Sequence, residues 1–350
     1  MNHYGRSMQT AINCVKILIT YNSYFSPFHN HPTLRNCPCH TLPTGYKTKF
    51  YPLRISTIEE ALIKGNILVH DDIYHVQLKL KADDLDELAI PSYNDQLTNT
   101  NICGAQVMCK KDVTPWTHRE VFQLGFGMFH LTMNLIWALL HVHCGTINEH
   151  GSLTHLFTVL EKAQLGGKHP DFHTLLVALT QVLDGQVLNA WQTECRFPDL
   201  NAFANSKPTP ERLLELAHSI IRKYATPMEG LPPISKKTLH LQPEPESSSD
   251  LDDGELSMPD VQEGDDDIVH ENMMRLTQNL LYVAELVHAI SEGDFRCVED
   301  ILPDLACIFR GAGSNNYATE ILHFLFNIKE VWTPEFACTI PTLCATLLSC

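Results

Sequence analysis

A mainly helical α+β fold is predicted by three features of the sequence. Long segments carry apolar residues at three- and four-residue spacing, two N-capping patterns recur, and only one short stretch alternates with period two. With 350 residues, 44% of them apolar, the chain can bury a large core.

The elements follow in order. Residues 1–54 are expected to be poorly ordered, because His, Pro and Cys recur there without periodicity apart from an apolar run at Val15–Thr20 that reads as a strand. Ser56-Thr57-Ile58-Glu59 reads as a capping box, in which a Ser oxygen and a Glu carboxylate satisfy early helical N–H groups, and a short helix is expected to follow. Val76, Leu78 and Leu80 alternate with Gln77, Lys79 and Lys81, which predicts a half-buried strand within a small β element near residues 65–95. Thr117-His118-Arg119-Glu120 is the second capping pattern. Directly after it comes FQLGFGMFHLTMNLIWALLHVHCGTIN, residues 122–148, free of Asp, Glu, Lys and Arg.

That stretch is long enough to span a bilayer, yet its composition argues against a span. In a continuous helix Gln123, His130, Asn134 and His141 fall within about 40° of one another, one polar stripe that lipid would leave unsatisfied. Gly127 borders the stripe and would let a backbone or ligand approach. A helix buried inside a protein is therefore expected. Leu153–Leu165, Phe172–Cys195 and Glu211–Tyr224 continue the helical pattern, the last with Leu213, Leu214, Ala217, Ile220 and Ile221 on one face.

The net charge of -16 has a local origin. Residues 242–267 hold 11 acidic and no basic residues, leaving 30 acids against 25 bases elsewhere. Residues 235–267 are expected to form a disordered acidic linker, since their composition cannot repay the entropy of ordering. Beyond it Val269, Met273, Leu276, Leu280, Val283, Val287 and Ile290 form a core stripe, Gly293–Arg310 is helical with Pro303 inside, and Asn315–Lys329 is amphipathic. Thr333-Pro334-Glu335 can start one more helix.

Twelve irregularly spaced Cys and no leader pattern at the start point to a reduced, intracellular protein, nuclear or cytoplasmic. The Cys37-Pro38-Cys39-His40 cluster and His141 with Cys144 supply too few ligands for zinc, so no zinc site is favoured. No phosphate loop, dinucleotide fingerprint or other small-molecule cofactor motif is evident.

Candidate carboxylates are Asp71, Asp72 and Asp95, together with Glu320, which shares a polar helix face with Asn316, His323 and Asn327. Hydrated surface carboxylates are the bland alternative. Two from distant segments acquire chemistry only where they meet around Mg²⁺.

At HDDIYHVQLK (70–79), NDQLTN (94–99), GMFHLTMN (127–134), GSLTHL (151–156), PDFHTLL (170–176) and RGAGSNNYATEILHF (310–324) the chain resembles a transposon-associated family of fungi and some animals, domain of unknown function 6589. The resemblance covers residues 55–335 as a single family domain interrupted by the linker, with 336–350 an atypical tail. It implies a diverged or truncated ribonuclease-H-like transposase core acting on DNA, with Asp95 and Glu320 as Mg²⁺ ligands. His130 and Asn134 would support them, His130 in proton transfer. It also places Asn94 where relatives have Gly, and aligns Tyr21-Asn22-Ser23 with a Tyr-Asp-Asn element, which removes a metal-binding carboxylate. The competing expectation is a non-enzymatic helical interaction module in which Gln123, His130, Asn134 and His141 satisfy one another. Nothing in the sequence specifies an oligomeric state.

Overall fold

The computed structural model describes residues 3–35, 47, 49–167, 169–226 and 265–346. It is mainly helical with one two-stranded parallel sheet, as the sequence pattern predicts. Cys37-Pro38-Cys39-His40 and the acidic tract as far as residue 264 lie outside the described residues, as do residues 347–350. The chain divides into two compact units, one formed by residues 1–9, 35–138 and 282–350 and the other by residues 10–34 and 139–281.

Helix α1 (His3–Tyr21) replaces the strand and the disorder expected at the start of the chain. Ala11, Ile12, Val15, Leu18 and Ile19 are buried, and their three- and four-residue spacing is helical. The apolar run at 15–20 hid that longer period.

In the first unit, α2 (Ile63–Asp71) passes into a π-helical turn at Asp72–Gln77, followed by α3 (Ala82–Asp86). The expected strand at 76–80 is absent. Val76 is 58% exposed and Leu78 and Leu80 are also exposed, so the alternation there does not mark a buried face. Ser56 does not start a helix either; its Oγ accepts from Ile58 N at 3.3 Å, a local turn.

The β element is β1 (Ile90–Asn94), α4 (Gln96–Met108), α5 (Pro115–His118) and β2 (Phe122–Phe126), with the strands parallel and Ile90 opposite Phe122 through Asn94 opposite Phe126. The second capping pattern lies three residues earlier than expected, because Thr114 with Pro115 behind it caps α5 and Arg119 takes a left-handed backbone with φ 64° that ends it. Phe122–Phe126 is therefore strand rather than the first turns of a long helix, and α6 runs only from Met128 to His143. The sheet packs on a cluster of Leu85, Ile102, Trp116, Val121, Phe122 and Leu124.

The second unit contains α7 (Leu153–Val159), α8 (Phe172–Glu194), α9 (Leu200–Asn205) and α10 (Pro210–Tyr224). Ser152, Asp171, Asp199 and Thr209 cap them by accepting from the third backbone N–H that follows. Trp191, wholly buried, donates its indole N–H to the Cys14 carbonyl at 3.1 Å and ties α8 to α1.

Helix α11 (Asp265–Glu292) buries Leu276, Leu280 and Val283 of the predicted stripe, while Val269 stays exposed. Asp265–Asp267, expected to belong to the linker, open this helix. In the first unit α12 (Phe295–Gly311) continues through Pro303 and packs against α13 (Asn315–Phe326), which ends in a π-helical turn at Asn327–Val331 before α14 (Pro334–Thr346).

An ion pair between a buried arginine and a half-exposed aspartate locks α2 to the turn before β2. Arg119 is 4% exposed, its guanidinium lies 2.9 Å from Asp71 and 4.6 Å from the Trp116 ring, and two of its nitrogens have no partner among the described residues. Beside it His70, packed on Phe122, has its pKa pushed down to about 4, by burial first and then by the Arg119 charge. Asp71 is half-exposed and can rehydrate if Arg119 is removed, whereas Arg119 cannot. We expect Asp71→Ala to cost about 3 kcal/mol and more than Arg119→Met, measured by urea denaturation; the reverse order would contradict this reading.

Candidate functional site

The carboxyl ends of β1 and β2 lie side by side, and each strand passes directly into a helix. This is the edge at which open parallel sheets hold ligands. Asp95 is the N-cap of α4, its Oδ1 accepting from Thr98 N at 2.8 Å. Gly127 N donates to Asn94 O at 2.9 Å, which closes the end of the sheet before α6 begins.

Asn99, four residues after Asp95, stands at the centre. Its amide nitrogen donates to Gly125 O at 2.9 Å and to Glu320 Oε1 at 2.5 Å, and its amide oxygen accepts from Asn94 Nδ2 at 2.9 Å. Asn94 Nδ2 also reaches Ser92 Oγ at 2.9 Å. One buried amide thus joins β1, β2 and, across 221 residues of sequence, α13. Gly125 is needed here, since a Cβ would come within 2.1 Å of the Tyr93 ring opposite it.

Glu320 has its pKa raised, chiefly by burial; the Asn99 bond opposes the rise and the nearby Asp95 charge adds to it. Its Oε2 is buried without a partner among the described residues. Tyr317, one turn earlier on α13, also has its pKa raised, by burial and then by the Glu320 and Asp95 charges, with the Asn134 amide opposing. Asp95, Asn134, Tyr317 and Glu320 therefore share one electrostatic neighbourhood.

The site differs from the expected polar stripe. Gln123 sits on β2, where its Oε1 accepts from Trp332 Nε1 at 2.7 Å and its Nε2 donates to Glu120 O at 3.1 Å. His141 is exposed at the far end of α6, and Asn134 Nδ2 donates to the His130 carbonyl at 2.8 Å. The four do not satisfy one another, because strand and helix cannot carry one 100° periodicity. Nor does Gly127 mark a close approach, since an added Cβ would make only ordinary contacts. His130 lies one turn before Asn134 with its ring against Phe129.

Sequence reasoning missed Asn99 and Tyr317. Both stand inside the motifs that supplied Asp95 and Glu320, NDQLTN and SNNYATE, but amides and phenols have no metal-site spacing to single them out. Asn22, in the element aligned with a metal-binding carboxylate, caps a 3₁₀ turn at Ser23–Phe28 and donates to Asn201 Oδ1 at 2.9 Å in the second unit. Asp71 pairs with Arg119, and Asp72 accepts from Gln77 at 2.8 Å.

Among the described residues no group of three or more His, Cys, Asp or Glu could hold a metal ion. Asp95 and Glu320 are two carboxylates, fewer than a two-ion cage requires. No helix among the described residues is long and apolar enough to cross a membrane.

The ends of a parallel strand pair meet a helix that carries a single acid, Glu320. Residues 3–342 match the family of unknown function DUF6589, and the chain belongs to that family. No curated protein and no solved structure matches it.

The Glu320 shift has a sign. A carboxyl whose folded pKa lies above its ordinary 4.5 stabilises the fold most below that value, and this contribution is lost as pH rises through the folded pKa. We expect wild type to lose stability relative to Glu320→Gln from pH 4.5 upward, read as urea midpoints; a difference independent of pH would contradict the shift.

Proposed function

We propose that the protein is a transposable-element-derived, degenerate core for metal-dependent DNA processing, of ribonuclease-H-like descent. Asp95 and Glu320 are the remaining carboxylates of its site. The observation that carries the reading is that the charge of Asp95, at the carboxyl end of β1, reaches Glu320 and Tyr317 on α13 although they are far apart in sequence.

Asp95 and Glu320 would hold the Mg²⁺, which would supply polarisation of a phosphodiester and activation of a water nucleophile. This chain's residues prepare that position. Asn99 fixes Glu320, the α4 N-terminus fixes Asp95, and burial of the Glu320 carboxyl near the Asp95 charge would make it favour a cation. Asn134 sits beside the Tyr317 hydroxyl, and His130, one turn away on α6, is the group this reading assigns to proton transfer.

A second reading, a non-enzymatic helical module, draws support from the engagement of Asp95 as a helix cap. The two readings separate experimentally. We expect Mn²⁺ at ten times its Kd to stabilise wild type by about 1.4 kcal/mol, a shift of a few degrees in melting temperature, and to leave Asp95→Ala and Glu320→Gln unshifted. Mg²⁺-dependent nicking of supercoiled DNA should likewise disappear in Asp95→Ala. Equal shifts, or equal nicking, in wild type and variants would overturn the assignment.

A further inference from the structure

Beside the carboxylates, α4, β2 and α13 enclose a cavity of about 260 Å³. Its volume is several times the ~30 Å³ of a water molecule, which suits one small ring system rather than a lone solvent molecule. The floor is apolar and partly aromatic, made by Leu124, Phe126 and Phe324, all buried. Gln96, Asn316 and Glu320 supply the polar wall. Thr100, Asn316, Thr319 and His323 are exposed at the rim, so the cavity has an open mouth.

The charge of the lining narrows the ligand. No Lys or Arg lines the cavity, and a phosphate inside it would meet a carboxyl and no countercharge. An uncharged group with N–H donors is favoured instead. Glu320 Oε1 accepts from Asn99 and keeps a second acceptor position; Asn316 offers an adjacent donor and acceptor, and Gln96, one N–H of which donates to Thr100 Oγ1 at 2.7 Å, offers its other N–H and its carbonyl. Carboxylates accepting from exocyclic amino groups and carboxamides pairing with a donor–acceptor edge are the contacts by which proteins read bases. Aromatic walls add stacking faces for a planar ring.

We propose that this cavity binds an amino-bearing nucleobase (adenine, cytosine or guanine), with the sugar and phosphate left outside at the exposed rim. Thymine, which presents carbonyls on both sides of its single N–H, is rejected by the Glu320 carboxyl. The base comes either from an unpaired nucleotide of DNA or from a free nucleotide. Only the first source rests on the proposed function, and the cavity chemistry requires no metal.

The test uses the full chain in EDTA and saturation-transfer NMR with deoxyadenosine, deoxycytidine and thymidine as probes. Wild type should bind the two amino-bearing nucleosides at millimolar concentration and thymidine at least tenfold more weakly. Thr319→Phe, which fills the exposed rim and leaves Asn99 and Glu320 in place, should melt like wild type and bind at least tenfold more weakly. Absence of nucleoside binding by wild type, equal binding of thymidine, or undiminished binding by Thr319→Phe would each overturn the proposal. A single-stranded oligoadenylate that binds more tightly than deoxyadenosine identifies DNA as the source; one that binds no better identifies free nucleotides. Because EDTA removes divalent cations, loss of the Mn²⁺ shift would count against the carboxylate reading alone, and loss of nucleoside binding against the cavity alone.

Discussion

The donation of both amide hydrogens of Asn99, one to the Gly125 carbonyl and one to the Glu320 carboxyl, is the interaction on which the first unit's site depends. Two parallel strands are too few to make a stable sheet alone, and their ends require helices packed on them. Here α4 supplies one helix directly and Asn99 recruits α13 as another. Removing the amide would strand a buried carbonyl and a buried carboxyl together, each costing about 1–3 kcal/mol.

The same interaction sets the electrostatics. A carboxyl held in a half-buried place by a neutral amide, with another carboxylate nearby, is less stable ionised than a hydrated one. The bond from Asn99 offsets part of that cost and ties α13 to α4. Asp95 shows the opposite compromise: as a helix cap it stabilises α4, and one of its oxygens is thereby engaged before any ligand arrives. On the reading proposed above, a cation or an N–H donor would stabilise both.

Much of the helical architecture was legible because amphipathic periodicity survives in single elements. Leu213, Leu214, Ala217 and Ile220 on α10 and Leu276, Leu280 and Val283 on α11 lie in the core where their spacing puts them. The sheet was not legible. Phe122–Phe126 is a continuous apolar run, and such a run carries no period by which a buried strand differs from a buried helix. At Val76–Leu80 the period of two was present but no neighbour covers it, so alternation predicted burial that tertiary structure withheld. Within the site, Asp95 and Glu320 were recognisable through motif resemblance, whereas the role of Asn99 came only from folding, which brings it against a helix 221 residues away.

The central claim, that Asn99 and Glu320 act as one buried unit joining the strand ends to α13, is tested most directly by a double-mutant cycle. Unfolding free energies of wild type, Asn99→Ala, Glu320→Ala and the double variant, measured at one pH, should give a coupling energy above about 1 kcal/mol. A coupling indistinguishable from zero, with the two single effects simply adding, would contradict the account.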